Sequence, residues 1–327
     1  MNYRIFGRTG WNISEIGFGA WAIGGTWGRV DDRESLKALH RAVDLGVNFF
    51  DTADVYGDGK SEQLVAKLRK DRSEKIFIAT KLGRRLDPHV SEGYNKKNLT
   101  LFIERSLKNL DVDAIDLIQL HCPPTQVYYM PEVFEILDNF VNEGKLLYYG
   151  VSVEKVEEAL KAIEFPNVQS VQIIFNMFRQ RPSELFFEQA HKKNVAIIAR
   201  VPLSSGLLTG KFTANSKFDD DDHRKFNRNG EAFDKGETFS GVDFIKSLQA
   251  VDELKKICPT DYSLTQFALK WILMFKEVTC TIPGAKSIAQ VEENVSASQL
   301  NNISKETMEE INEIYLRFIK KEVHHYW

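Results

Sequence analysis

Eight short apolar runs, each followed by a stretch with helical spacing, limit how this chain can fold more than any other feature. The runs fall at 15–20, 47–50, 76–80, 115–120, 146–151, 169–175, 195–199 and 278–282. Helical patterns follow near 32–45, 61–70, 96–110, 131–143, 153–163, 183–193, 243–257 and 287–297. Strands that are apolar on both faces must be covered on both, which is the pattern of a parallel sheet wrapped in helices. Eight such pairs predict an α/β fold, a (β/α)8 TIM barrel forming one domain over 1–327. Residues 3–14 carry two strand-like pieces around Gly7 and Gly10, predicting a hairpin that covers the closed end. Extra helices are expected at 261–276 and 304–321. Between the seventh strand and its helix lies a long polar insertion, 213–242.

Three neighbouring strands end in ionisable residues. The segment VNFFDTADVYG (47–57) leaves a buried strand at Asp51 and reaches Tyr56 five residues on; IFIAT (76–80) runs into Lys81, and IDLIQL (115–120) into His121. A carboxylate at the end of a buried strand is costly unless a cation or several donors meet it, and Lys81 is the obvious partner. One strand-end Asp, Lys or His is more often structural than catalytic. Four such groups in register on a barrel project into one mouth, where active sites of that architecture lie.

The formal charge of -3 and the absence of a basic field argue against nucleic acid or an anionic membrane as partner. No window approaches the ~20 apolar residues of a membrane span, and the first residues lack a signal-peptide core, so a cytoplasmic protein is expected. Cys122, Cys258 and Cys280 are odd in number and far apart, as free thiols in a reducing compartment would be. Cys122 beside His121 does not read as a nucleophile and base, because neighbours on a strand face opposite ways. No metal is expected: no cysteines have ligand spacing, and Asp219–Asp222 reads as a solvated acidic face.

The loops after the seventh and eighth strands, PLSSGLLTGK (202–211) and IPGAKSIAQVEEN (282–294), suit an anion. Gly206 and Gly210 let backbone amides approach it, Ser204 and Ser205 add hydroxyls, and Lys286 with Ser287 begins a helix. A GxGxxG turn after an early strand is missing, which disfavours a Rossmann site. Together the two loops suggest a phosphorylated cofactor.

The segments GFGAWAIGG, NFFDTADVYG, IATKLG, LIQLH, GVS, PLSSGLLTGK and IPGAKSIAQVEEN, in this order over 17–294, resemble the aldo-keto reductase superfamily, including its branch of bacterial reductases and potassium-channel beta-subunit relatives. The resemblance implies NADPH-dependent reduction of a small carbonyl substrate (aldehyde, ketone or sugar), with a catalytic tetrad of Asp51, Tyr56, Lys81 and His121. It implies that Ser152 and Gln172 hold the nicotinamide carboxamide, and that Ala20 and Trp21 lie near the ribose and the substrate. Leu203, Ser205 and Lys211 would line a pyrophosphate channel, with Gly206 and Gly284 in the same loops. Lys286 and Ser287 would take the 2′-phosphate, and Gln290, Glu293 and Asn294 the adenosine. The insertion would close over the cofactor.

Two positions depart from the family's pattern. Val153 stands where many relatives carry Asn, and Arg200 where many carry an aromatic residue stacking on nicotinamide. A cation beside a ring that becomes positive on oxidation should favour the reduced cofactor. The substrate pocket is expected from Trp21, Trp27, Tyr56, His121, residues 123–129 and the tail VHHYW, which either folds over the mouth or hangs free. Two other readings stay open: a cofactor-binding regulatory or scaffold protein with weak reductase activity, and a Schiff-base aldolase using Lys81. The sequence leaves the oligomeric state open, a homo-oligomer included.

Overall fold

The computed structural model describes residues 1–25 and 31–327; Trp27 lies outside them. Strands β1 (Tyr3–Ile5) and β2 (Asn12–Ser14) pair antiparallel as the expected hairpin. Eight parallel strands follow in sequential order: β3 (Phe18–Gly19), β4 (Phe49–Asp51), β5 (Phe77–Leu82), β6 (Ile115–His121), β7 (Leu146–Ser152), β8 (Val168–Ile174), β9 (Ala196–Arg200) and β10 (Val278–Thr281). The sheet closes beside β3, where Gly17 N donates to Thr281 O at 2.8 Å and Gly19 N to Pro283 O at 3.0 Å. Gly19 is needed there, since a Cβ would lie 2.6 Å from Ile282 O.

The hairpin plugs the barrel floor. Phe6 and Ile13 are fully buried against Phe49, Phe77 and Leu117, and Trp11 stacks on Phe77 with centroids 4.6 Å apart. Each such aromatic contributes about 1.5–3 kcal/mol of burial, so the floor is a packed core rather than a pore. Most sequence-expected helices form within a few residues of their expected ends. Asp31 caps Asp32–Asp44 by accepting from Arg33 N, and Pro131 opens Pro131–Asn142. The sixth outer helix starts at Phe186 rather than 183, because Arg181–Ser183 is a separate 3-10 turn and Leu185 is non-helical. The final helix is interrupted by a π-turn over Tyr315–Ile319.

The polar insertion is anchored to the main core through aromatic residues within and beside it. Phe212, Phe218, Phe239 and Phe244 pack together, and Asp222 caps a short helix, His223–Phe226. Within the acidic run, Asp222 pairs with Arg224 and Asp220 with Lys225. Ser205 Oγ ties the insertion to the barrel, donating to Glu237 O at 3.0 Å and accepting from Phe239 N at 3.1 Å. The tail does not hang free. Trp327 is buried, donates from Nε1 to Asp234 Oδ1 at 2.9 Å, and lies 3.7 Å beneath the Arg179 guanidinium. Among the described residues, no helix is long and apolar enough to cross a membrane.

Candidate active site

Strand register decides which side chains meet at the mouth. Asp51 pairs with Ala79, so Lys81, two residues on, points the same way but one step higher; Lys81 pairs with Gln119, and His121 with Ser152. Lys81 Nζ lies 2.5 Å from Asp51 Oδ1, 2.8 Å from Thr52 O and 3.4 Å from Tyr56 Oη. Gln119 and Gln172 donate to the other carboxylate oxygen, Asp51 Oδ2, at 3.1 and 2.7 Å. Asp51 is thus fully partnered in a site where an isolated charge could not persist. The Tyr56 ring stacks on Trp21 at 5.9 Å and meets the His121 ring edge-on at 5.9 Å.

Burial and charge set the protonation of these groups. Burial pushes the Tyr56 phenol up and the Lys81 ammonium opposes that, so the phenol keeps its proton at rest. Burial works against the Lys81 ammonium, yet Asp51 and Tyr56 outweigh it and raise its pKa. His121 is held well below its ordinary value by burial first and by Arg84 and Lys81 next, so it is neutral at physiological pH.

From these groups a cavity of about 340 Å³ runs between the ends of β9 and β10. It is lined by Trp21, Gln172 and Arg200 near these groups, then by Leu203, Ser205, Gly206 and Lys211. Its far end holds Gly284, Lys286, Gln290, Glu293 and Asn294. Three of the residues expected at the cofactor do not line it. Ala20 is fully buried, Ser152 Oγ faces Cys122 Sγ at 3.6 Å, and Ser287 caps Ile288–Ser296 by accepting from Gln290 N. The lining suits a phosphorylated ligand: Gly206 adopts φ +97, and Lys211, Arg224 and Lys286 are among the lining residues.

Two expectations need correction. The Arg200 guanidinium does not offer an unbalanced charge to a neighbouring ring: it donates to Val153 O at 3.0 Å and Glu154 Oε2 at 2.9 Å, and meets Glu237 Oε1 at 3.3 Å. Paired in this way, Arg200 is not the free cation that would disfavour an oxidised ring. Residues 123–129 do not wall the space beside Tyr56; Tyr128 is buried with its hydroxyl 3.4 Å from Ser152 O, and Tyr129 is exposed. All three cysteines are free, and burial, with Glu154 next, pushes the Cys122 thiol far up, so it is no nucleophile.

Sequence reasoning missed Gln119, Arg84, Glu154 and Glu237. Gln119 had a signal, since it stands two residues before His121 on the same strand face. The other three come from separate loops, and Arg84 bridges Glu154 at 3.0 Å and Glu237 in the insertion. Only tertiary structure joins them.

Residues 15–316 match the model of the Aldo/keto reductase family. The chain is 31% identical over 300 residues to the aldo-keto reductase YhdN of Bacillus subtilis (strain 168), covering 89% of this chain and 87% of that one. It is 29% identical over 312 residues to the aldo-keto reductase yakc [NADP(+)] of Schizosaccharomyces pombe, covering 92% and 88%. The glycerol dehydrogenase AKR11B4 from Gluconobacter oxydans superposes with a TM-score of 0.78 at 29% identity over 97% of this chain and 95% of that one.

Proposed function

The chain belongs to the aldo/keto reductase family, and on that premise we propose that it is an NADP(H)-dependent oxidoreductase of small carbonyl and alcohol substrates, with Tyr56 as general acid. The observation that carries this reading is the Asp51–Lys81–Tyr56 chain of contacts at the inner end of a cavity suited to a dinucleotide.

Bound NADPH supplies a hydride to the carbonyl carbon. Negative charge then grows on the carbonyl oxygen, and the chain must neutralise it. Tyr56 Oη donates its proton there. An unaided phenol is a weak acid at neutral pH, so the cost of forming the phenolate is the obstacle. Lys81, 3.4 Å away, lowers that cost, and Asp51 and Thr52 O keep the ammonium in place. Neutral His121 offers an N–H to the same oxygen without competing as a stronger acid. In the reverse direction Tyr56 takes the alcohol proton.

The cofactor would be held by Gln172 and Arg200 near the reacting end, by the Leu203–Lys211 loop in the middle, and by Lys286, Gln290, Glu293 and Asn294 at the adenosine end. Lys286 at the start of a nine-residue helix favours a 2′-phosphate, hence NADPH over NADH. The intact proton-donor constellation favours an enzyme over a scaffold that merely binds nucleotide. The test is NADPH oxidation, followed by absorbance, with a panel of aldehydes, ketones and sugars. Steady turnover is expected; NADPH binding without oxidation by any of them would leave the scaffold reading in its place.

A further inference from the structure

Asp51 faces two ways. Its Oδ1 meets the Lys81 ammonium, and its Oδ2 accepts from two side-chain amides, Gln119 Nε2 at 3.1 Å and Gln172 Nε2 at 2.7 Å. The amides also meet each other, with Gln172 Nε2 donating to Gln119 Oε1 at 3.3 Å. Asp51, Gln119 and Gln172 stand on β4, β6 and β8, and alternate strands of a closed barrel supply one layer of its interior. Such layers are ordinarily filled by apolar side chains, as Leu117 does two residues before Gln119. Gln119 is completely buried and is not among the residues lining the long cavity, whereas Gln172 is.

Two buried amides can simply satisfy one another in a core, but the orientation of this pair says more. An ionised carboxylate only accepts, so each amide must turn an N–H to Asp51 Oδ2, and neither is free to flip. Gln172 Nε2 has two hydrogens, and Asp51 and Gln119 take both. What Gln172 keeps for a ligand is its acceptor, Oε1. With Asp51 alone, the Gln172 amide would keep one bond and swing about it; the second bond, to Gln119, fixes its plane. Ser152, expected to share the carboxamide, faces Cys122 instead, which leaves more of that task to Gln172.

We propose that Gln119 is a positioning residue: it holds the Gln172 amide with its oxygen presented to the cofactor, so that the reacting end is recognised through an N–H donor, the carboxamide NH2 of the nicotinamide. The same side chain steadies Asp51, and with it the Lys81 ammonium. This rests on reading the cavity as an NADP(H) site beside a proton-donating Tyr56.

The experiment measures Kd, by quenching of tryptophan fluorescence, for NADPH and for its reduced 3-acetylpyridine analogue, whose methyl ketone has no N–H to give. The parent should bind NADPH about fivefold more tightly, the contribution of one neutral hydrogen bond. Gln119→Met, similar in size and unable to make either bond, should cut that preference to about twofold or less, by weakening NADPH and leaving the analogue near its parent value. A merely structural role would weaken both cofactors alike and leave the ratio unmoved. Gln119→Glu is the conservative rescue. Two carboxyls so close cannot both ionise, and the protonated one can still donate to Asp51 and accept from Gln172. Its preference at pH 6 should lie within about twofold of the parent's, and failure of that rescue contradicts the role given to the two bonds. In Gln172→Met the preference should vanish, and adding Gln119→Met should not move it further. Equal binding of the two cofactors by the parent, or an unchanged ratio in Gln119→Met, overturns the inference; where the parent still reduces an aldehyde with NADPH, the reductase reading stands. A parent that binds no NADPH takes both down together.

Discussion

The role proposed for Tyr56 depends on what stands around it. An ammonium 3.4 Å from its hydroxyl, held by a carboxylate that two amides orient, supplies what a phenol lacks at neutral pH. Tyr56→Phe should therefore keep NADPH affinity within about threefold while kcat falls by about a hundredfold or more; fluorescence titration and turnover with one aldehyde check both. Two residues earlier, Asp54 presents a different case. It is fully buried, and neither carboxylate oxygen has a hydrogen-bond partner among the described residues. Burial first, and Glu62 next, raise its pKa from 3.8 to about 7. Near pH 4 the folded chain keeps this proton, whereas the unfolded chain begins to lose it. Stability therefore falls as pH rises from about 4 to 7 and levels off above, with an upper bound of about 4 kcal/mol at about 1.4 kcal/mol per pH unit. Asp54→Asn should unfold at higher denaturant than the parent at pH 8 and at the same concentration at pH 4. Equal midpoints at both pH values would mean that the carboxyl is ionised without penalty. Nothing in the string DTADVYG distinguishes this buried acid from the partnered Asp51, because partners are a property of the fold.

At the scale of elements, the insertion over 213–242 is where sequence and structure diverge most. Its polar composition reads as an exposed loop, yet Phe239 and Glu237 are buried and the latter closes an ion-pair network with Arg84 and Arg200. The tail locks it further through Trp327, whose ring is packed against Gly236, Gly241 and Arg179. Trp327→Ala removes that ring and the bond to Asp234, a loss of about 3–5 kcal/mol for a well-packed Trp. The expected outcomes are faster proteolysis within 213–242, measured by limited digestion, and a KM for NADPH raised several-fold with a smaller change in kcat. Digestion at the parent's rate would show that the insertion is held without the tail. The β10 loop makes a separate prediction. Lys286→Ala should narrow the preference for NADPH over NADH by about tenfold in Kd, since NADH lacks the phosphate proposed to meet this cation; a preserved preference would move that phosphate elsewhere.

For the whole molecule, the barrel was legible because its cause is repetitive. Each apolar run must be covered, each cover is a helix, and eight repeats close on themselves. The meeting of the four mouth residues was legible for a related reason: strand ends in register share a mouth, so Asp51, Lys81 and His121 could be placed together from their positions alone. The ion-pair network was not, because Arg84, Glu154 and Glu237 are drawn from loops whose meeting depends on long-range packing. The residues expected to hold cofactor mostly line one continuous space, with Ala20, Ser152 and Ser287 set back from it. Ligand binding to this space should also stabilise the chain, by about 2.7 kcal/mol at a hundred times Kd, with a rise in Tm that is larger for NADPH than for NADH. The most direct test of the account is a single-turnover reaction of the protein with NADPH deuterated at the transferable position of its nicotinamide and a reducible aldehyde, with the alcohol examined by NMR. The account predicts one deuterium on the carbinol carbon and a proton from solvent on the oxygen. An alcohol free of deuterium, or no alcohol from any carbonyl that the mouth can admit, would contradict it.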